Sequence, residues 1–453
     1  MTYTRIAAFL VMLTLLVGCL CACGETAPQG GATTTTTGET QVSQSDEQTT
    51  TQEDATTTSV KESTTEKQET TTAKDKTTTV KKTATSTTKA ETTVGTTTTT
   101  TAQTTVATTT TTKAQPITAL KPLSPDDYYG YNLLKKEADG AVLTQLYKHF
   151  VESVERMDAT IKLDSISTSL SLPTVKKVWN YYQLDYPQHF WVDNGFDYST
   201  LSEHVTEIQP IYSMTVAERD KAKVEFDAVV KSILSKISGS WGEYKRELAV
   251  HDALCDRVTY RDDGKTSHNA YGALVNKVAV CEGYAEAFQY LMYQVGTQCL
   301  GVFGTAEKLP HKWNIVYIDG VYYDVDVTWD DPIVNGGAEL VAHTYFNLSD
   351  AILFRDHNEN DERNYPLPPC NSMDENYYVM QGVWMHDFSE DAIAKAIQSH
   401  GETVEIYLDE HTTDEFATWL QEHWKTIREM AQTEYRGYRL AAVSNTVTLT
   451  LTK

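Results

Sequence analysis

Between Phe9 and Tyr128 the chain contains no aromatic residue. A stretch of over a hundred residues without Phe, Trp or Tyr cannot nucleate a core, because it has too little apolar area to offset the entropy of ordering its backbone. The folded part is therefore confined to about Tyr128–Lys453, still long enough to bury a large core. Within the gap, residues 33–113 are roughly half Thr, mixed with Ala, Ser, Gln, Lys and Glu and lacking apolar periodicity. Residues 24–120 are accordingly expected to form an extended, disordered spacer. Its Lys nearly balances its Asp and Glu, so the net charge of −24 belongs almost wholly to the folded part. Nucleic acid needs a basic surface and is not an expected partner. An acidic domain suits solubility outside the cell.

Residues 1–23 are built like an export signal, with Arg5 followed by the apolar run Ile6–Val17, which is short for a membrane span. The run ends in Leu16-Val17-Gly18-Cys19, which resembles the lipobox of bacterial lipoproteins; Leu20-Cys21-Ala22-Cys23 is a poorer fit. That resemblance implies lipidation of Cys19 and a chain anchored to the cell membrane, facing the extracellular side. An uncleaved anchor or a plain secretory signal would also export the chain.

The folded part reads as α+β. Residues 121–242 are expected to be a mainly helical extension, residues 243–350 a core, and residues 351–453 a small C-terminal α/β subdomain. Val142, Leu146, Phe150, Val154 and Met157 recur at helical spacing, so a helix opens near Asp139. An irregular, aromatic-rich stretch follows, then a strand over Ile208–Met214. Thr215 with Glu218 forms a capping box for a long helix, and another helix covers Glu243–Asp252. Further on, Thr403–Leu408 alternates as a strand, and Thr412 with Glu415 caps a helix. A hairpin pairs Arg439–Val443 with Thr446–Leu451.

Three segments carry chemistry: Ala279–Phe288, the segment opening at His311, and the one ending at Pro332. Tyr284, Phe288, Leu291, Met292 and Val295 follow Cys281 at helical spacing, and Gly296 is placed to end the helix. Cys281 thus falls in the first turn, where unpaired N–H groups favour thiolate over thiol. Asp319-Gly320 between alternating runs is the strongest short hairpin signal and pairs Ile318 with Val321. Counting outward puts Trp313 opposite Asp326 and His311 opposite Thr328. His311 and Asp326 are then diagonal neighbours on one face. Asp324 lies two residues further off, and Asp330 beyond the pairing. The arithmetic nominates a Cys281–His311–Asp326 triad. The Cys281 N–H is the first oxyanion donor, and Asn276 is a candidate for the second.

The segments "AYGALVNKVAVCEGYAEAFQYLM", "HKWN" and "YYDVDVTWDDP" together resemble the transglutaminase-like superfamily over about Glu243–Asp350. "HTYFNLSD" from His343 looks like bacterial members of the same group. The resemblance implies a papain-related fold with Cys281 as nucleophile, His311 as base and Asp326 as orienting acid. It implies a thioester acyl-enzyme formed on protein or peptide amides, cell-wall peptides included, and resolved by transamidation, deamidation or hydrolysis. The alternative is an idle surface module that binds wall polysaccharide or protein. A monomer without cofactor is expected. No metal site is expected either, since the twelve His residues are scattered and the Asp324–Asp331 cluster lacks the glycine and spacing of a calcium loop. That cluster reads as a strand face followed by a turn. Cys255, Cys299 and Cys370 read as buried thiols, although one disulfide among them would be compatible with an oxidising exterior.

Overall fold

The computed structural model describes residues 118–332, 341–443 and 445–453. The expected export signal at residues 1–23, with Cys19, and the expected spacer up to residue 117 lie outside them. The first described residues run as a strap. Thr118 N–H donates to Ser238 Oγ (3.0 Å), Gly239 N–H donates to the Thr118 carbonyl (2.9 Å), and Leu123 N–H donates to the Tyr293 carbonyl (2.7 Å).

Three helices follow: α1 (Tyr129–Lys135), α2 (Gly140–Arg156) and α3 (Leu172–Asp185). They accompany an antiparallel sheet of β1 (Ile161–Lys162), β2 (Val192–Leu201) and β3 (His204–Tyr212), ordered β1-β3-β2. Helix α2 starts where the spacing predicts and buries Leu146, Phe150 and Val154. The stretch expected to be irregular contains α3. The Ser171 hydroxyl caps it by accepting from Thr174 N–H, Pro173 sits in its first turn, and Val175, Val178, Trp179 and Tyr182 are buried along it. Helix α1 has no side-chain cap of its own. Instead the buried Asp185 carboxylate accepts from Gly130 N–H (3.1 Å), Tyr131 N–H (2.9 Å) and the Tyr147 hydroxyl (2.8 Å). Burial pushes Asp185 up to about 7 despite these donors.

The capping box at Thr215 and Glu218 opens α4 (Val216–Leu234), and α5 (Glu243–Cys255) follows. Short parallel strands β4 (Thr259–Tyr260) and β5 (Val278–Ala279) lead into α6 (Cys281–Gln294). Helix α6 packs on β6 (Cys299–Ala306) and β7 (Leu309–Ile318). With β8 (Val321–Val325), the short helix α7 (Asp350–Leu353) and β9 (His357–Asn358), the chain completes an antiparallel sheet ordered β8-β7-β6-β9. The β7–β8 turn holds Asp319 at φ 48° and Gly320 at φ 94°, the left-handed pair that such a two-residue turn requires.

The register is the expected one, Ile318 with Val321 out to Asn314 with Val325. It stops there. Asp326 Oδ1 accepts from Thr328 N–H (3.0 Å) and Trp329 N–H (3.3 Å), turning the chain off the sheet. The expected pairing of His311 with Thr328 therefore does not form, and His311 pairs with Gly304 of β6.

One apolar cluster runs from Tyr128 to Cys370, and a second from Tyr378 to Leu451. The second belongs to α8 (Tyr377–Met380), β10 (Trp384–Met385), α9 (Glu390–His400), β11 (Thr403–Leu408), α10 (Thr413–Ala431), β12 (Gly437–Val443) and β13 (Thr446–Thr452). Its sheet is ordered β10-β11-β13-β12. The Thr412–Glu415 capping box is present and Val443 pairs with Thr446, both as the sequence predicts. No helix among the described residues is long and apolar enough to cross a membrane.

Candidate active site

Cys281 is the first residue of α6, and Val280 before it offers no side chain to cap the helix. The Cys281 N–H thus belongs to the set with no intrahelical partner, and the positive end of the helix faces the thiol. The helix start is held hard against the preceding segment. Val280 N–H donates to the Ser267 carbonyl (2.9 Å), and a Cβ on Gly283 would come within 2.6 Å of that oxygen. Only a glycine lets the first turn sit so close. Among the four described cysteines, all free, Cys281 alone is not fully buried, while Cys255, Cys299 and Cys370 are buried as expected. Burial pushes the thiols of those three upward, towards the unreactive protonated form.

His311 lies near the start of β7, and its Nε2 is 2.6 Å from Asp326 Oδ2. Cys281 acts electrostatically on the same ring, and with Nε2 taken by Asp326 it is Nδ1 that is left for the thiol. Burial disfavours the imidazolium, but the Asp326 charge and hydrogen bond, with Cys281 adding to them, outweigh it and raise His311 to about 10. For Asp326, burial favours the neutral acid, yet His311 and His357 hold the carboxyl well below the usual range. His311 and Asp326, the pair chosen by counting along the hairpin, therefore meet, and Cys281 acts on the same ring. Lys312, buried next to His311, pairs with Glu286 of α6 (2.9 Å), and Asn314 Nδ2 donates to the Ala285 carbonyl (3.0 Å). These contacts fix β7 against the helix that bears the thiol.

His357 was not identifiable from the sequence. From β9 its Nε2 lies 3.1 Å from the same Asp326 Oδ2, and its Nδ1 lies 2.6 Å from Asp356 Oδ1. Asp356 in turn accepts from the Tyr345 hydroxyl (2.8 Å). Trp313 and Trp329 flank both histidine rings at centroid distances from 4.7 to 6.2 Å. An aromatic wall beside these largely buried imidazoles strengthens each electrostatic contact inside it.

The acidic run is the strand face followed by a turn that its sequence suggests, but it is buried. Asp324, Asp326 and Asp330 are at most 1% exposed. Asp324 accepts from the Trp313 indole N–H (3.1 Å), Asp330 meets His251 (3.2 Å), and Asp331 accepts from the Tyr284 hydroxyl (2.5 Å). Asn276, the candidate second oxyanion donor, directs its side-chain amide to Thr266 Oγ1 (3.3 Å) on the exposed surface. An open cleft of about 640 Å³ has His357, Asn358, Glu359 and Asp361 in its wall but not Cys281, so it is not assigned to the reacting substrate.

The donor atoms of His311, Asp326 and His357 lie within 4.8 Å of one another, close enough in principle for a metal. The 2.6 Å His311–Asp326 contact is instead that of a charge-assisted hydrogen bond, and shorter than two ligands keep around one tetrahedral ion, about 3.3 Å for bonds of 2.0–2.1 Å. The arrangement is that of a nucleophile, a base and an orienting acid.

Part of the chain is similar to known proteins. Residues 231–327 match the model of the transglutaminase-like superfamily. The kyphoscoliosis peptidase of Homo sapiens is 24% identical over 198 residues, 38% of this chain and 29% of that protein. Its Mus musculus counterpart is 30% identical over 150 residues, 28% of this chain and 22% of that protein. The chain thus matches less than a third of the length of either relative. Among solved structures, a candidate cysteine protease from Cytophaga hutchinsonii is 17% identical over 27% of this chain and 51% of that one, with a TM-score of 0.20. A crystal structure of a TGase is 12% identical over 39% of this chain and 54% of its own, with a TM-score of 0.24.

Proposed function

We propose that this chain, which carries a transglutaminase-like domain, is a thiol enzyme that acts on amide bonds of proteins or peptides through an acyl-enzyme on Cys281. The observation behind this reading is the 2.6 Å contact of His311 Nε2 with the buried Asp326, on a ring that also feels Cys281 at the start of α6. His311 takes the thiol proton, and the resulting imidazolium is held by Asp326. The thiolate attacks the amide carbonyl carbon, and the oxyanion is met by the Cys281 N–H at the start of α6. Collapse breaks the C–N bond, the leaving amine takes its proton from His311, and a thioester remains. Water or a second amine then attacks, passing its proton to His311, and the next collapse releases the product and restores the thiolate.

Water gives hydrolysis or deamidation, and an amine gives transamidation. The relatives named as peptidases support an amide as the bond attacked. The lipobox-like Cys19 and the Thr-rich segment support an exported enzyme, lipid-anchored on the extracellular side and set off from the membrane by a spacer.

Incubating the full chain with glutamine-containing peptides and a labelled amine, then weighing the products by mass spectrometry, separates the three outcomes. Cys281→Ala is expected to abolish whichever product forms. Product formation that survives Cys281→Ala, or no product across peptides and wall fragments, would remove the thiol-enzyme reading and favour an idle binding module. Cys19→Ala is expected to shift the protein from the membrane fraction to the soluble one.

A further inference from the structure

The twelve histidines look scattered in the sequence, but folding gathers two of them beside an aspartate away from the thiol. His251 and Asp252 sit near the end of α5, and His343 comes from the segment ahead of α7. His251 Nδ1 lies 3.1 Å from Asp252 Oδ1, and His343 Nε2 lies 3.0 Å from the same oxygen. All three donor atoms fall within 4.8 Å of one another.

We propose that His251, Asp252 and His343 form a binding site for a divalent transition-metal ion of the zinc class. Two imidazole nitrogens and one carboxylate oxygen suit zinc rather than calcium or magnesium, which prefer all-oxygen shells. Ligands on a tetrahedral zinc stand about 3.3 Å apart at bond lengths near 2.0–2.1 Å, so the observed 3.0–3.1 Å spacings need only a small opening.

The second nitrogen of each ring lies near a carboxylate. His251 Nε2 is 3.2 Å from Asp330 Oδ2, and His343 Nδ1 is 3.6 Å from Glu405 Oε2 on β11. A carboxylate behind each ligating imidazole fixes the tautomer and raises ligand basicity, as metal sites commonly require. His343 Nδ1 and Glu405 Oε2 are buried atoms without a hydrogen-bond partner, although His343 is only 7% exposed. A small shift of the His343 ring onto an ion, with Nδ1–H turned to Glu405, would satisfy both. Tyr377 stacks on that ring at 3.9 Å, and Phe346 lies against both histidines. The Asp252 side chain, 42% exposed, opens the site to solvent and leaves the fourth position to water. An ion here ties α5 to the Asp330 turn and, through Glu405, to the C-terminal sheet. It does not depend on acyl transfer at Cys281.

Zinc binding is measured on the full chain after alkylation with iodoacetamide, so that Cys281 and other accessible thiols cannot hold the ion. Equilibrium dialysis against zinc chloride is expected to retain one equivalent. Asp252→Asn and His343→Gln are expected to weaken that binding by more than about a hundredfold, and Glu405→Gln, which acts only through His343, by about tenfold. Zinc should raise the melting temperature of the alkylated chain, and not that of Asp252→Asn. Glu405→Gln keeps the side-chain shape and serves where a ligand variant fails to fold. No stoichiometric zinc, or zinc retained equally by all three variants, overturns the site.

Discussion

Two aspartates in this protein each present one oxygen to two histidines, and they do so in opposite surroundings. Asp326 Oδ2 meets His311 and His357 at 2.6 and 3.1 Å in a pocket where the carboxylate is 1% exposed. Asp252 Oδ1 meets His251 and His343 at 3.1 and 3.0 Å, with the side chain 42% exposed. The composition is the same, but the remaining ring nitrogens differ. His311 keeps its other nitrogen for the side of the thiol, an arrangement suited to passing a proton. Both rings at Asp252 turn theirs to carboxylates, so the set has an open face suited to a cation. What lies behind a histidine decides its chemistry as much as what lies in front.

The comparison is broken most directly at the two acids. Asp326→Asn should lower kcat/KM on whichever peptide proves to be a substrate by about 10³–10⁴, as loss of the orienting carboxylate does in triads of this kind. Asp252→Asn should cost no more than about tenfold in the same assay. Similar losses in both would mean that the two clusters act as one unit. Next in size is thiol selectivity: iodoacetamide at neutral pH should modify Cys281 on the order of a hundredfold faster than Cys255, Cys299 and Cys370, read by peptide mapping. Equal rates would refute an activated Cys281.

The pH profile sharpens the contrast further. His311 is raised to about 10, so the imidazolium that protonates the leaving amine persists through neutral pH, and kcat/KM should fall on a basic limb near pH 10 rather than near the ordinary 6.5. The same proton contributes stability that is fully present below about pH 6.5 and is lost as the pH rises through about 10. The lowered Asp326 acts in the opposite sense. Its contribution is present above about pH 4 and is lost as the pH falls. The smallest expected effect is that of His357→Gln. It removes one hydrogen bond to a charged carboxylate, about 1.5–3 kcal/mol or roughly ten- to a hundredfold in rate. It also removes one of the two groups that hold the Asp326 carboxyl down, so the acid-side loss of stability should begin at a higher pH than in the parent protein. An unmoved acid transition would make His357 a packing residue only.

The parts of this architecture that the sequence revealed are those set by short-range rules. The Asp319-Gly320 turn fixed the β7–β8 register, and that register selected Asp326 over Asp324. The start of α6 at Cys281 and both capping boxes were equally legible. Helix α3 was missed although its Ser171 cap and buried positions at helical spacing are local signals. Helix α1 was hidden for a better reason, since its cap, Asp185, lies 55 residues further along. The end of pairing at Val325 depends on Asp326 spending one oxygen on its own turn, which no alternation pattern encodes. His357 and the His251–His343 pair reach their aspartates only through the fold. Long-range polar contacts have no sequence period, so they leave no trace for counting to find.

The strap at the head of the described chain gives the molecule a mechanical aspect. Leu123 N–H is bonded to the carbonyl of Tyr293, in the last turn of the helix whose first residue is Cys281. Any tension arriving from residues ahead of Thr118 would meet the Ser238–Gly239 bonds first and that helix next. A pull on residues ahead of Thr118 would therefore pass, once those bonds gave way, to the far end of the helix whose first residue is Cys281.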